Sequence, residues 1–202
     1  MTVYCATTNS GKLREFRLAA PSGIEVEVLP GLKEIEPPEE TRTTFEENAI
    51  LKALYYGARQ PGYVFVDDSG LEVDALDGAP GVWSARFAGT EATDAANNAL
   101  LLEKLSDAPD RTARFVCVVA LAHNGQLVGT FRGAVEGLIA QAPSGPNGFG
   151  YDPLFHYPPF GCTFGEAPLD RKMTVSHRSQ ALHAMFQSLP VSAPQPPRTI
   201  PE

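Results

Sequence analysis

Residues 113–140 read ARFVCVVALAHNGQLVGTFRGAVEGLIA, two long apolar runs on either side of Asn124-Gly125. Asn-Gly is the dipeptide that a two-residue hairpin turn prefers, because both of its central positions need a positive φ. The stretch therefore predicts a long antiparallel pair. Working outward, Val3-Tyr4-Cys5 is a short strand, Asn9-Ser10-Gly11 is turn chemistry, and KLREFRLAA (12–20) has helical propensity until Pro21. Ile24, Val26 and Val28 alternate with acids as a half-buried strand does. Thr44-Phe45-Glu46-Glu47 is a capping-box pattern that opens a helix running toward Pro61-Gly62. YVFVDDSG (63–70) is expected to be a strand that ends, and turns, at Asp67 and Asp68. Thr93 can cap a helix over 94–105, and Ser176 a last helix up to Leu189. Alternating strands and helices suggest parallel pairing. With the hairpin added, the expectation is an α/β fold whose sheet is mixed.

The chain has 202 residues, 43% of them hydrophobic, enough for one substantial domain with its own core. A net charge of -8 argues against a partner that is a nucleic acid polymer or an anionic membrane surface. The sequence shows no apolar run near the roughly 20 residues of a membrane helix and no signal-peptide pattern at its start, so a cytoplasmic location is expected. Cys5, Cys117 and Cys162 lack metal or redox spacing and read as reduced thiols, two of them in apolar strands. The four histidines are scattered. PVSAPQPPRTIPE (190–202) reads as a mobile Pro-rich tail.

Candidate chemistry gathers in a few segments. ATTNSGK (6–12) lacks the spacing of a Walker A loop, yet a strand-loop-helix aims free backbone N–H groups and Lys12 at one spot, which suits an anion. Asp67 and Asp68 follow an apolar strand, where open α/β sheets place ligands. Successive strand residues face opposite ways, so one of the two reaches a cleft while the other orients its surroundings. Asp68 is the preferred choice. An acidic site beside a phosphate site needs a cation between them, and Glu39 with Asp68 supplies oxygen ligands for magnesium. Glu39 and Glu40 otherwise read as part of a solvated acidic loop, and Lys52 as a surface lysine on a helix. Phe149, flanked by glycines, is equally a stacking platform and a core ring. His177 and Arg178 open the last helix.

Taken together, ATTNSGK, PEETRTTFEENAILKA, DDSGLEVDALDGAPGVWSARFAG, NGFGYDPLF and SHRSQAL closely resemble the inosine/xanthosine triphosphate pyrophosphatases in order and spacing, over Val3 to about Leu189. That resemblance implies an elongated mixed sheet with flanking helices, in a single two-lobed domain over 1–190 around a central nucleotide cleft, with residues 191–202 as the tail. It further implies a homodimer, dependence on Mg2+, and hydrolysis of ITP, dITP and XTP to the monophosphate and pyrophosphate, cleansing the nucleotide pool. By position, Thr7, Thr8, Asn9, Ser10, Gly11 and Lys12 match a phosphate loop. Glu39 and Asp68 match metal ligands, with Asp68 also the proton acceptor. Lys52, Ser69, Phe149, Gly150, Tyr151, Asp152, Lys172, His177 and Arg178 match substrate contacts. Thr8 and Ser179 depart from the common pattern. Two other readings are a pyrophosphatase for modified pyrimidine or methylated nucleotides, and a nucleotide-binding module without catalysis. Intact Lys12, Glu39 and Asp68 speak against the second.

Overall fold

The computed structural model describes residues 1–39 and 41–190; the expected tail over 191–202 lies outside the described residues. In chain order the elements are β1 (Thr2–Cys5), α1 (Ser10–Ala19), β2 (Glu25–Val28), α2 (Phe45–Gly57), β3 (Tyr63–Val73) and α3 (Asp94–Lys104). There follow β4 (Thr112–His123), β5 (Gln126–Ile139), β6 (Phe155–Tyr157), β7 (Cys162–Thr163), α4 (Leu169–Met173) and α5 (His177–Ser188). The seven strands form one sheet in the order β2-β1-β3-β4-β5-β6-β7. Pairing is parallel from β2 through β1 to β3 and antiparallel from β3 onward, so the sheet is mixed.

The hairpin forms where it was expected, with Asn124 at φ 49° and Gly125 at φ 78°. Asn124 Oδ1 also accepts the Gly62 N–H at 2.8 Å, tying the turn to the start of β3. Thr44, Thr93 and Ser176 each accept a backbone N–H three residues on. At Thr44 the capping box is altered: the Thr44 hydroxyl donates to Glu47 Oε2 at 3.0 Å. α2 stops at Gly57, short of Pro61.

One expectation is corrected. β3 does not end at Asp67-Asp68; it runs on to Val73, with Asp67 opposite Val119 and Asp68 opposite Val118 of β4. Continuous pairing with β4 overrides the local turn chemistry of Asp-Asp-Ser-Gly. On its other side β3 meets β1 only at Val64 and Phe65, because β1 stops at Cys5. The two carboxylates thus sit just past the end of the parallel pairing, in the middle of a long strand.

Three apolar clusters form the core. Phe16 of α1, Phe65 of β3 and Ala181, Leu182 and Met185 of α5 pack on one face. Ala49 and Ala53 of α2 pack with Val64 and Val66 on the other face. A third cluster joins Leu101 and Leu105 at α3 to Phe115, Phe155 and Phe164. Cys5 and Cys117 are buried free thiols and Cys162 is a partly exposed one. Among the described residues, no helix is long and apolar enough to cross a membrane.

Candidate active site

The early end of β1 creates the site. Where β1 leaves the sheet, the chain turns through residues 6–9 and starts α1, so the loop lies against the edge of β3 that β1 no longer covers. Asn9 caps the helix, its Oδ1 accepting the Lys12 N–H at 3.0 Å, and Thr7 Oγ1 accepts the Asn9 N–H at 3.2 Å. Lys12 then reaches across that edge to Asp67, Nζ to Oδ1 at 2.9 Å. Because strand side chains alternate, Phe65, Asp67 and Ser69 face α1 and α5, while Val64, Val66 and Asp68 face α2. On that second face Lys52 of α2 pairs with Asp68, Nζ to Oδ1 at 2.7 Å. Neighbouring residues of one strand therefore anchor one lysine on each side of the sheet.

Asp67 is the hub of a buried charge network. Its Oδ2 accepts from Arg178 Nε at 3.1 Å and from Ser69 Oγ at 3.2 Å. Arg178 Nη1 donates to Glu15 Oε2 at 2.5 Å and Nη2 to Ser69 Oγ at 2.8 Å. Lys172 Nζ donates to Glu15 Oε1 at 2.8 Å and to Asp152 Oδ2 at 2.6 Å. Burial favours the neutral form of Asp67 and Glu15, but the cations outweigh it: Lys12 and Arg178 for the first, Arg178 and Lys172 for the second. Both carboxyls are held below their usual range. For Asp152 burial prevails over Lys172 and the pKa is raised. His177 is pushed well below its ordinary value by burial and by the Arg178 and Lys172 charges, so the ring is neutral at physiological pH. It stacks on Phe115 with centroids 4.8 Å apart, and among the described residues its buried Nδ1 has no hydrogen-bond partner.

These groups surround a cleft of about 130 Å³ lined by Asn9, Lys12, Ser69, Phe149, Asp152, Lys172, His177 and Arg178, among others. The Phe149 ring lies 5.2 Å from Lys172 Nζ and 5.4 Å from Arg178 Cζ. It also rests on the loop over residues 7–12: a Cβ on Gly11 would come within 2.5 Å of the ring. Phe149 is thus half-buried at the mouth of the cleft rather than in the core. The Tyr151 hydroxyl donates to Ser84 O at 2.8 Å and bridges the two walls. Thr7, Thr8 and Ser10 line a shallow hollow of about 430 Å³ with Lys33 on the outer side of the loop. A hollow of about 680 Å³ across β5 has Glu136 as its one charged residue and contains no predicted site residue.

The structure brings Lys12, Ser69, Phe149 to Asp152, Lys172, His177 and Arg178 together in one cleft, and sets Asp68 with Lys52 behind it, on the opposite face of β3. Glu39 is exposed on the segment before α2. Among the described residues, no three His, Cys, Asp or Glu side chains converge as a ready-made metal cage. Asp68, its side chain 12% exposed, and Glu39 offer hard oxygen donors. Magnesium is commonly held by only one or two carboxylates, with water and phosphate oxygens completing its shell, and this donor set fits it. Sequence reasoning missed Glu15, whose buried position beside Phe16 and three residues after Lys12 is a faint signal. It also missed Asp94, Asn97 and Asn98 of α3, for which local sequence offers only a polar start to a helix.

Comparison with known proteins places this geometry. The model of the Ham1 family matches residues 3–188. A dITP/XTP pyrophosphatase of Exiguobacterium sp. is 53% identical over 186 residues, covering 92% of this chain and 95% of the relative. One from Listeria monocytogenes is 48% identical over 190 residues, 93% of this chain and 94% of the relative. Among solved structures, a HAM1 protein from Coxiella burnetii superposes with a TM-score of 0.83 at 39% identity, covering 93% of this chain and 97% of that one. The Staphylococcus aureus Ham1 protein gives 0.82 at 40% identity, with the same coverage.

Proposed function

Because the chain belongs to the Ham1 family, we infer that it is a nucleoside triphosphate pyrophosphohydrolase acting on deaminated purine nucleotides, ITP, dITP and XTP, and releasing the monophosphate and pyrophosphate. The observation that carries the mechanism is the pair of lysines, Lys12 and Lys52, fixed to consecutive carboxylates on opposite faces of β3 beside a base-sized cleft. The triphosphate lies along the open edge of β3, over the 7–12 loop, with the base in the cleft. Backbone N–H groups at the start of α1 and the Lys12 ammonium meet its phosphates.

Asp68 takes the proton of the attacking water, with Lys52 orienting its carboxylate. Charge that builds on phosphate oxygens during attack at the α-phosphorus is met by Lys12 and Lys52, which act more strongly on the transition state than on the ground state. Magnesium is the proposed cofactor, held by Asp68 and Glu39 together with substrate phosphates, and when bound it polarises a phosphoryl oxygen and offsets the repulsion between acids and phosphates.

At the base end, the first N–H groups of α5, at His177 and Arg178, have no partner inside the helix. They converge with Lys172 and Arg178 on the place where a 6-oxopurine carries an acceptor. Adenine puts an amino donor there and leaves these donors unpaired, which discriminates strongly. Arg178 uses its five N–H groups both to stay locked to Asp67, Glu15 and Ser69 and to face the base. A homodimer and a cytoplasmic location are part of the same proposal, and light scattering checks the first. Turnover of ITP, XTP, GTP, ATP and a modified pyrimidine triphosphate, measured side by side as pyrophosphate release, tests the function. A preference for ITP and XTP is expected, and comparable turnover of ATP overturns it.

A further inference from the structure

The first turns of α3 touch both walls of the base cleft. Toward one wall, Asn97 Oδ1 accepts the Ala88 N–H at 2.8 Å and Nδ2 donates to Ala85 O at 3.2 Å, fixing the turn whose Ser84 and Ala85 line the cleft. Toward the other, Asp94 Oδ2 accepts the Gly150 N–H at 2.7 Å and Asn98 Nδ2 donates to Gly150 O at 3.0 Å. Both backbone polar groups of one glycine are thus gripped by one helix. Gly150 has φ 61° and follows Phe149, whose own N–H is held by Asp152 Oδ2 at 3.0 Å. The Phe149-Gly150 segment is therefore fixed from the buried charge network on one side and from α3 on the other.

Asn97 and Asn98 are buried, at 3% and 8% exposure, on a helix whose other inward residues are apolar. A buried amide is costly unless it is bonded, and among the described residues Asn98 Oδ1 has no hydrogen-bond partner. What justifies an amide at 98 is its one donated bond to Gly150.

We propose that Asp94, Asn97 and Asn98 are positioning residues for base selectivity, acting by holding Phe149-Gly150 and the Ala85 turn at the separation that admits a 6-oxopurine in register with the donors of α5. Discrimination through hydrogen bonds needs the reacting partners placed to a fraction of an ångström, and a glycine-rich loop holds such a position only when tied. The proposal rests on the reading of the cleft as the base site.

The test compares Asp94→Ala, Asp94→Asn and Asn98→Asp with wild type on ITP, GTP and ATP, with melting curves for each. Asp94→Ala, and Asn98→Asp, which sets an oxygen against Gly150 O, should raise KM for ITP about tenfold with kcat changed less than about threefold, and should shrink the ITP-to-ATP and ITP-to-GTP ratios. Asp94→Asn keeps an acceptor for the Gly150 N–H and should restore KM to within about twofold of wild type. A uniform loss of kcat on all three nucleotides, or no rescue by Asp94→Asn in a protein that melts normally, overturns the proposal. Amide hydrogen exchange of residues 149–151 without nucleotide supplies an arm independent of substrate. It should rise in Asp94→Ala, and unchanged protection refutes the clamp. Equal turnover of ITP and ATP by wild type instead refutes the assigned substrate and leaves the exchange result standing.

Discussion

Asp67 and Asp68 share a sequence context and differ in everything around them. Asp68 is paired to Lys52 and partly open, so Asp68→Asn should preserve the fold and lower kcat by roughly a hundredfold or more. A variant keeping more than about a tenth of the wild-type rate would remove it from catalysis. Asp67 is enclosed between two cations, and Asp67→Asn takes the carboxylate from Lys12 and leaves Arg178 with Glu15, an expected cost of about 3–5 kcal/mol in chemical denaturation. The sign of its pH dependence follows from a pKa lowered on folding. The stability Asp67 and Glu15 contribute is complete above their unfolded values of about 4 and is lost as pH falls through the folded ones. The melting temperature of wild type should therefore fall below about pH 4 more steeply than that of Asp67→Asn, narrowing the gap between them. At this scale neighbouring residues in the sequence are enough to mark Lys12 and Asp68 as candidates, and the structure pairs each with an opposite charge. Glu15 was not legible in this way, because its partners Lys172 and Arg178 lie 157 and 163 residues away in the chain.

Among the elements, α5 shows how backbone approach controls the site. It packs directly on β5 at Gly133, where an added Cβ would lie 2.1 Å from His177 O and 2.9 Å from Ala181 N. Backbone cannot yield as a side-chain tip can, so Gly133→Ala should displace the start of α5. The expected cost is about 1–3 kcal/mol in stability, together with a loss of ITP-over-ATP selectivity as His177 and Arg178 move. Unchanged selectivity in a destabilised protein would separate α5 from base reading. The hairpin and the caps at Thr44, Thr93 and Ser176 were readable because each is decided within four residues. The length of β3 was not, since Asp-Asp-Ser-Gly favours a turn locally and is kept extended by eleven registered pairs with β4. The wall at Ser84, whose Oγ accepts the Leu71 N–H at 2.9 Å, further requires glycine at 70, where an added Cβ would lie 2.4 Å from that Oγ, a contact no local pattern reveals.

For the whole molecule, the proposed function depends on a strand that outruns its parallel neighbour, so that one sheet can serve both ends of a nucleotide. The mixed architecture was legible from the alternation of elements plus one hairpin, whereas the junction at Cys5 and Phe65 depends on register across the fold. On the proposed reading of the cleft as the base site, IMP should raise the melting temperature more than AMP at equal concentration, by thermal shift. The pairing of the cations in and behind the cleft has another result. Lys12, Lys52, Lys172 and Arg178 each face a carboxylate, and the chain as a whole carries a net charge of -8. A free triphosphate is accordingly repelled at long range and attracted only on contact, when its oxygens compete with the carboxylates for their lysines. Diffusional capture is thus slowed by the enzyme's own field. With free magnesium held constant, kcat/KM should rise as salt is added up to about 0.1–0.15 M, where charges more than about 8–10 Å apart are largely screened. It should decline at higher salt, as the contact pairs themselves weaken; a steady fall from the lowest salt would reveal long-range steering instead.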